Sequence, residues 1–182
     1  MKHAITILCF SLGIGLAASV ASSSNVGGDA LRLLLSEVQP GTMSSEQYCL
    51  LVFQDQRFHA EKAVRKMGKD KDRQAYEGKL SDAEWAALGE ILDSKNFREL
   101  YVAQTVPPLV IQDTHEYSIS VARGNKFQNL EFLDNKSRKP YDAELKPLLQ
   151  WWKSVRRGRM AQENVPPDDR CSLDSTHAVF TN

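Results

Sequence analysis

Leu80-Ser81-Asp82-Ala83-Glu84-Trp85-Ala86-Ala87-Leu88-Gly89-Glu90-Ile91-Leu92 is the best-specified stretch of this chain. Ser81 stands where a helix N-cap is wanted, and Glu84 follows three residues on. That spacing is a capping box, in which each side chain satisfies a backbone N–H that the first turn leaves without a partner. Leu80 and Trp85 bracket the cap as a hydrophobic staple. Asp82 and Glu84 put negative charge at the positive end of the helix dipole. Trp85, Leu88 and Leu92 then share one face, with Ile91 at its edge.

Strands are expected on both sides of this helix. Tyr48 to Phe53 is apolar on both faces, as in a strand covered on both sides. A turn at Asp55-Gln56 returns the chain over Phe58 to Val64, in a register that sets Phe53 against Phe58 and Val52 against His59. Ala75 to Leu80 is a third strand leading into the helix. Arg65 to Arg73, with alternating Lys and Asp around Gly68, reads as a solvated hairpin tip. Downstream, Pro107-Pro108 forces an extended connection. Tyr117, Ile119 and Val121 alternate with Ser118 and Ser120, and Gly124-Asn125 follows as a two-residue turn. The resulting register pairs Ile119 with Leu130 and Tyr117 with Phe132.

A second amphipathic helix spans about Tyr141 to Arg157, with Leu145, Leu148, Leu149, Trp152 and Val155 in its stripe. Pro147 lies inside the stripe, so the helix either kinks there or begins near it. Ala30 to Val38, rich in leucine, fits a short helix or an extended segment. The fold expected is α+β: a mainly antiparallel sheet of about five strands with two amphipathic helices packed on one face.

The chain has 182 residues, enough for one domain with a core and tails. Lys+Arg and Asp+Glu both number 23, which gives no support for a nucleic-acid partner. Met1-Lys2-His3, an apolar run from Ala4 to Ala18, and Ser19-Val20-Ala21 form a secretory signal peptide with cleavage after Ala21. The expected divisions are a signal peptide over 1–21, a leader over 22–44, one α+β domain over 45–158 and a polar tail over 159–182. The mature protein is placed outside the cell or in the periplasm. No stretch after the signal is apolar enough for a membrane span. Two cysteines, Cys49 and Cys171, then remain. They either form one disulfide or stay separate thiols, and spacing alone leaves both readings open.

Catalytic motifs are scarce: there is no glycine-rich phosphate loop, His-Glu-x-x-His, paired CxxC or Gly-x-Ser-x-Gly. No cofactor is expected. Asp113-Thr114-His115-Glu116 gathers ligand-type side chains, and His59 shares a strand face with Glu61. Were the two hairpins adjacent, His59, Asp113 and His115, with Glu61, would suit a divalent metal or acid–base work. Trp151 lies about a right angle from the stripe of the second helix, so it is either core margin or part of an exposed patch with Lys153 and Arg156. Lys153, Arg156 and Arg157 also offset the helix dipole.

The segment Tyr76 to Trp85, the Tyr117–Phe132 hairpin and the Leu148-Leu149-Gln150-Trp151-Trp152 helix resemble small secreted bacterial domains of unknown function. The resemblance covers about Tyr48 to Val155, and it implies no activity, cofactor or catalytic residue. The leading expectation is a non-enzymatic exported domain that binds a protein or cell-envelope partner. Two others stand beside it: a small enzyme using His59, Asp113 and His115, and an inhibitor of a secreted enzyme acting through Arg65 to Arg73.

Overall fold

A computed structural model describes residues 30–66, 72–102, 115–159 and 171. Its frame is one antiparallel sheet of six strands. These are β1 (Leu31–Pro40), β2 (Ser44–Phe53), β3 (Arg57–Lys66), β4 (Asp72–Lys79), β5 (Glu116–Arg123) and β6 (Lys126–Phe132), in the order β4-β3-β2-β1-β5-β6. The helices are α1 (Asp82–Asp93), α2 (Lys95–Arg98), α3 (Asn135–Arg138) and α4 (Asp142–Arg159), with a 3-10 turn over Lys139–Tyr141. The architecture is α+β, with one more strand and two more short helices than the sequence suggests.

The extra strand is β1. The sequence reading placed residues 22–44 in a leader, yet Leu31–Pro40 pairs with β2 on one side and β5 on the other. Its leucines are consecutive because both faces are covered: Leu33 and Leu35 face the helices, while Leu34 joins the opposite cluster. A bulge at Arg32 sets two β1 residues against one of β2. It lets Arg32 reach α1, where the guanidinium lies over Trp85 and 3.3 Å from Asp93.

The capping box forms as expected. Ser81 Oγ accepts from the Glu84 N–H at 3.3 Å, and Glu84 Oε2 accepts from the Ser81 N–H at 2.7 Å. Leu88 and Leu92 are buried, with Trp85 and Ile91 packed at the margin. The β5–β6 register also holds, pairing Ile119 with Leu130 and Tyr117 with Phe132. Gly124, at φ 66°, makes the turn that a Cβ would strain. The second long helix runs through Pro147 as one element.

The β2–β3 register differs from the expectation by one residue: Val52 pairs with Phe58, and Leu51 with His59. The reason is Gln56, whose φ of 73° adds a third residue to the turn. Since side chains alternate, that slip carries His59 to the other face of the sheet. There it lies beside Leu51, while Phe58 faces the helices and leans over Gly78. A Cβ on Gly78 would come within 3.0 Å of the Phe58 ring.

The sheet thus has two dissimilar sides. The helix side holds the main core, including Leu33, Leu35, Leu50, Val52, Phe97, Ile119, Leu148 and Trp152. The other side carries a smaller cluster of Leu34, Cys49, Leu51 and Cys171. Cys49 and Cys171 are bonded, with sulfurs 2.03 Å apart. Residues 1–21, expected to be a signal peptide, most of the tail and the tip of the Arg65–Arg73 segment lie outside the described residues. No helix among the described residues is long and apolar enough to cross a membrane. That and the bonded cysteines are compatible with an oxidising, extracytoplasmic setting.

Ser81→Ala is expected to lower stability by about 1 kcal/mol in urea denaturation, through loss of the cap. Reducing the disulfide, which spans a sequence separation of 122, is expected to remove about 5 kcal/mol in the chain-entropy treatment. Equal denaturation midpoints with and without reductant would show that the bond does not constrain the chain.

Candidate functional site

Across the helix side of the sheet, one rung differs from the apolar rung of Leu35, Leu50, Ala60, Ile119 and Leu130 beside it. Pairing aligns Lys62, Tyr48, Glu37, Tyr117 and Phe132 on neighbouring strands. Glu37 is 1% exposed. An isolated carboxylate there would cost far more than the fold could supply, but Glu37 is saturated with donors. Its Oε1 accepts from Gln39 Nε2 at 2.6 Å, His115 Nε2 at 2.9 Å and Tyr117 OH at 2.9 Å. Its Oε2 accepts from Trp152 Nε1 and Arg156 Nη1, both at 3.1 Å. The acid therefore joins β1 to β5 and to α4 at once.

The electrostatics follow from this shell. Burial pushes the Glu37 carboxyl up, but bonds from Gln39, His115 and Tyr117 and the charge of Arg156 outweigh it and hold the group below its ordinary value. Burial, the Glu37 charge and the bond to it push the Tyr117 phenol well up, so it stays a donor. Arg156 also lies over the Tyr48 ring, 4.3 Å from its centroid. Tyr48 in turn donates to Glu46, which pairs with Lys62 at 3.1 Å.

A second polar group occupies the other side of the sheet. His59 Nε2 lies 2.9 Å from Glu61 Oε1, and His59 Nδ1 lies 3.2 Å from Glu77 Oε1. Arg73 Nη2 donates to Glu61 Oε2 at 2.7 Å. Burial pushes Glu61 up, while bonds from His59 and Arg73 and the charge of Arg73 bring it below its ordinary value. His59 and Glu61 are buried beside Cys171.

The joint site expected from His59, Asp113 and His115 does not assemble from its histidines. His59 is on β3, on the side away from the helices, and His115 meets Glu37 on the helix side. Three strand spacings of about 4.8 Å also separate β3 from β5. Asp113 lies outside the described residues. Of the two placements open to Trp151, core margin is the one found, and it forms no exposed patch with Lys153 and Arg156. Trp151 is buried, and its Nε1 donates to the Glu84 carbonyl at 3.0 Å, tying α4 to α1. Arg156 is engaged by Glu37, which leaves Lys153 as the exposed member.

A third group was not anticipated. At the end of α1, Asp93 meets Arg32 at 3.3 Å, Arg123 at 3.4 Å and Arg98 at 3.7 Å. Three guanidinium groups thus share one carboxylate. Burial and the charges of Arg98 and Arg32 lower the pKa of Arg123, against the pull of Asp93. A cleft of about 60 Å³ opens here, lined by Arg32, Gln54, Asp93 and Arg123 among others. Arg32 Nε is buried without a hydrogen-bond partner. Sequence reasoning missed this group because its members come from four elements with no shared spacing. Glu37 did leave a signal, as the one acid in the alternation Leu33, Leu35, Glu37.

No family model, curated protein or solved structure matches this chain.

Glu37→Gln keeps the shape and removes the charge, and is expected to cost roughly 2–4 kcal/mol near neutral pH. The folded carboxyl titrates below its ordinary value of 4.5. Its contribution is therefore complete above that value and lost as pH falls through the lower folded one. Acid denaturation of Glu37→Gln should show a shallower decline below about pH 4.5 than the parent chain does. Parallel acid curves would show that the charge of Glu37 does not support the fold.

Proposed function

We propose that this protein is an exported, non-catalytic domain that binds an acidic segment of a protein partner through the arginine cleft at the end of α1. The observation that carries the reading is the excess of positive charge there: among the described residues Arg32, Arg98 and Arg123 meet one carboxylate, Asp93, and Arg123 is held in place by Gln128 and the Leu92 carbonyl. A guanidinium fork matches a carboxylate in two parallel bonds. The buried and unpartnered Arg32 Nε offers a donor that an incoming oxygen would satisfy. The cleft, at about 60 Å³, has room for a carboxylate or a few waters.

The other polar residues support a binding role. Both oxygens of Glu37 are engaged by donors from β1, β5, α4 and the residue before β5. Both ring nitrogens of His59 face carboxylates. Side chains that acid–base chemistry would use are thus committed to holding strands and helices together. In this reading residues 1–21 direct export and are cleaved after Ala21, and the disulfide forms in the oxidising compartment that receives the chain.

The test follows the Nε–H resonances of Arg32 and Arg98 while acetate, and then a glutamate-rich peptide, is titrated in. Saturable shifts are expected at these arginines, with several-fold weaker peptide binding in Arg98→Ala, whose side chain is largely exposed. Shifts no larger than those of exposed lysines on α4 would overturn the reading.

A further inference from the structure

The second polar group has a property that the cleft does not use. His59, Glu61 and Cys171 converge so that one ligand atom of each lies within 4.8 Å of the other two. Cys49 is bonded to Cys171 and is the direct cross-strand neighbour of Glu61. All four side chains are buried on the side of the sheet away from the main helices. We propose that, when the disulfide is reduced, Cys49, Cys171, His59 and Glu61 form a tetrahedral zinc site, so that this position alternates between a disulfide and a metal.

The donor set suits zinc. Thiolate, imidazole and carboxylate are its ordinary ligands, and four protein ligands close a structural site. Bonds of about 2.0–2.3 Å put tetrahedral ligand atoms about 3.3–3.8 Å apart, so His59, Glu61 and Cys171 need a rearrangement on the order of 1 Å from their present spacing, and Cys49 enters through its bond to Cys171. His59 Nε2 and Glu61 Oε1, 2.9 Å apart, would open slightly around the ion. The separated sulfurs would move to the same range.

The surroundings resemble an outer ligand shell. Glu77 faces His59 Nδ1 at 3.2 Å, which would fix the tautomer that presents Nε2 to a metal. Arg73 holds Glu61 Oε2 at 2.7 Å, leaving Oε1 for the ion, and offsets part of the charge of two thiolates and a carboxylate. Pairing also explains why the ligands meet. Cys49 opposes Glu61, Leu51 opposes His59, and His59 opposes Glu77. The one-residue slip that Gln56 imposes on the β2–β3 turn sets His59 on the same side as Cys49.

The switch balances with a dithiol reductant. Its two sulfhydryl groups donate two electrons and two protons to the Cys49–Cys171 bond, giving two protein thiols and the oxidised reductant. Zinc then displaces the two thiol protons to solvent. A newly made chain, still reduced before export, would pass through the metal-binding state first.

The experiment uses the full chain carrying Cys9→Ser, so that Cys49 and Cys171 are its only thiols. It is unfolded, reduced and refolded with cobalt(II) as a spectroscopic substitute for zinc, beside an oxidised sample. One equivalent of cobalt is expected in the reduced chain, with thiolate-to-metal charge transfer and tetrahedral ligand-field bands, and none in the oxidised chain. Zinc should displace the colour. Glu77→Gln, a change on an edge strand, should weaken binding about tenfold. No stoichiometric uptake by the reduced chain, equal uptake by the oxidised chain, or binding without a thiolate signature would each overturn the proposal. Because the comparison is between the reduced and oxidised forms of one chain, it holds even where replacing a buried ligand, as in His59→Ala, leaves the chain unfolded.

Discussion

A single buried carboxylate organises the helix side of this protein. Glu37 is on β1, the strand that joins the β2–β3–β4 meander to the β5–β6 hairpin. The burial that makes an acid costly there is also what makes its five bonds strong, since a low dielectric amplifies both effects. Its donors come from β1, β5, the residue before β5 and α4, so the bonds hold those elements in one arrangement. Hydrophobic contact alone would let α4 slide over the leucines of β1. The N–H of Trp152 and the guanidinium of Arg156, both aimed at one oxygen, define where it stops.

The other side of the sheet is held by different means. Its apolar cluster is small, with Leu34 and Leu51 around the Cys49–Cys171 bond. The covalent link and the Glu77–His59–Glu61–Arg73 chain do there what the broad apolar layer does opposite. A mostly structural use of polar side chains is consistent on both sides. The arginine group around Asp93 is the exception, because among the described residues three cations meet one carboxylate there.

Local chemistry was the legible part of the fold. The Ser81–Glu84 box, the alternation of Tyr117, Ile119 and Val121, and the Gly124-Asn125 turn depend on neighbours within a few residues, so their spacing is enough. The misread pieces depend on distant partners. The leucines from Leu31 to Leu35 have no period, because β1 is covered on both faces. The register at His59 turned on a left-handed Gln56, a residue type that does not announce that conformation as glycine does. Spacing alone allows Trp151 at the core margin or the surface, and its bond to the Glu84 carbonyl on another helix holds it in the core.

The class of fold, the position of the capped helix and the hairpin register can be read from the order of residues. Each follows from short-range backbone preference and from the side-chain period of helix or strand. Packing in three dimensions fixes which side of the sheet each histidine occupies, that Cys49 meets Cys171, and that Arg32, Arg98 and Arg123 gather on Asp93. Those outcomes depend on strand order and on a one-residue register, which couple residues far apart in the chain and have no signature in local spacing.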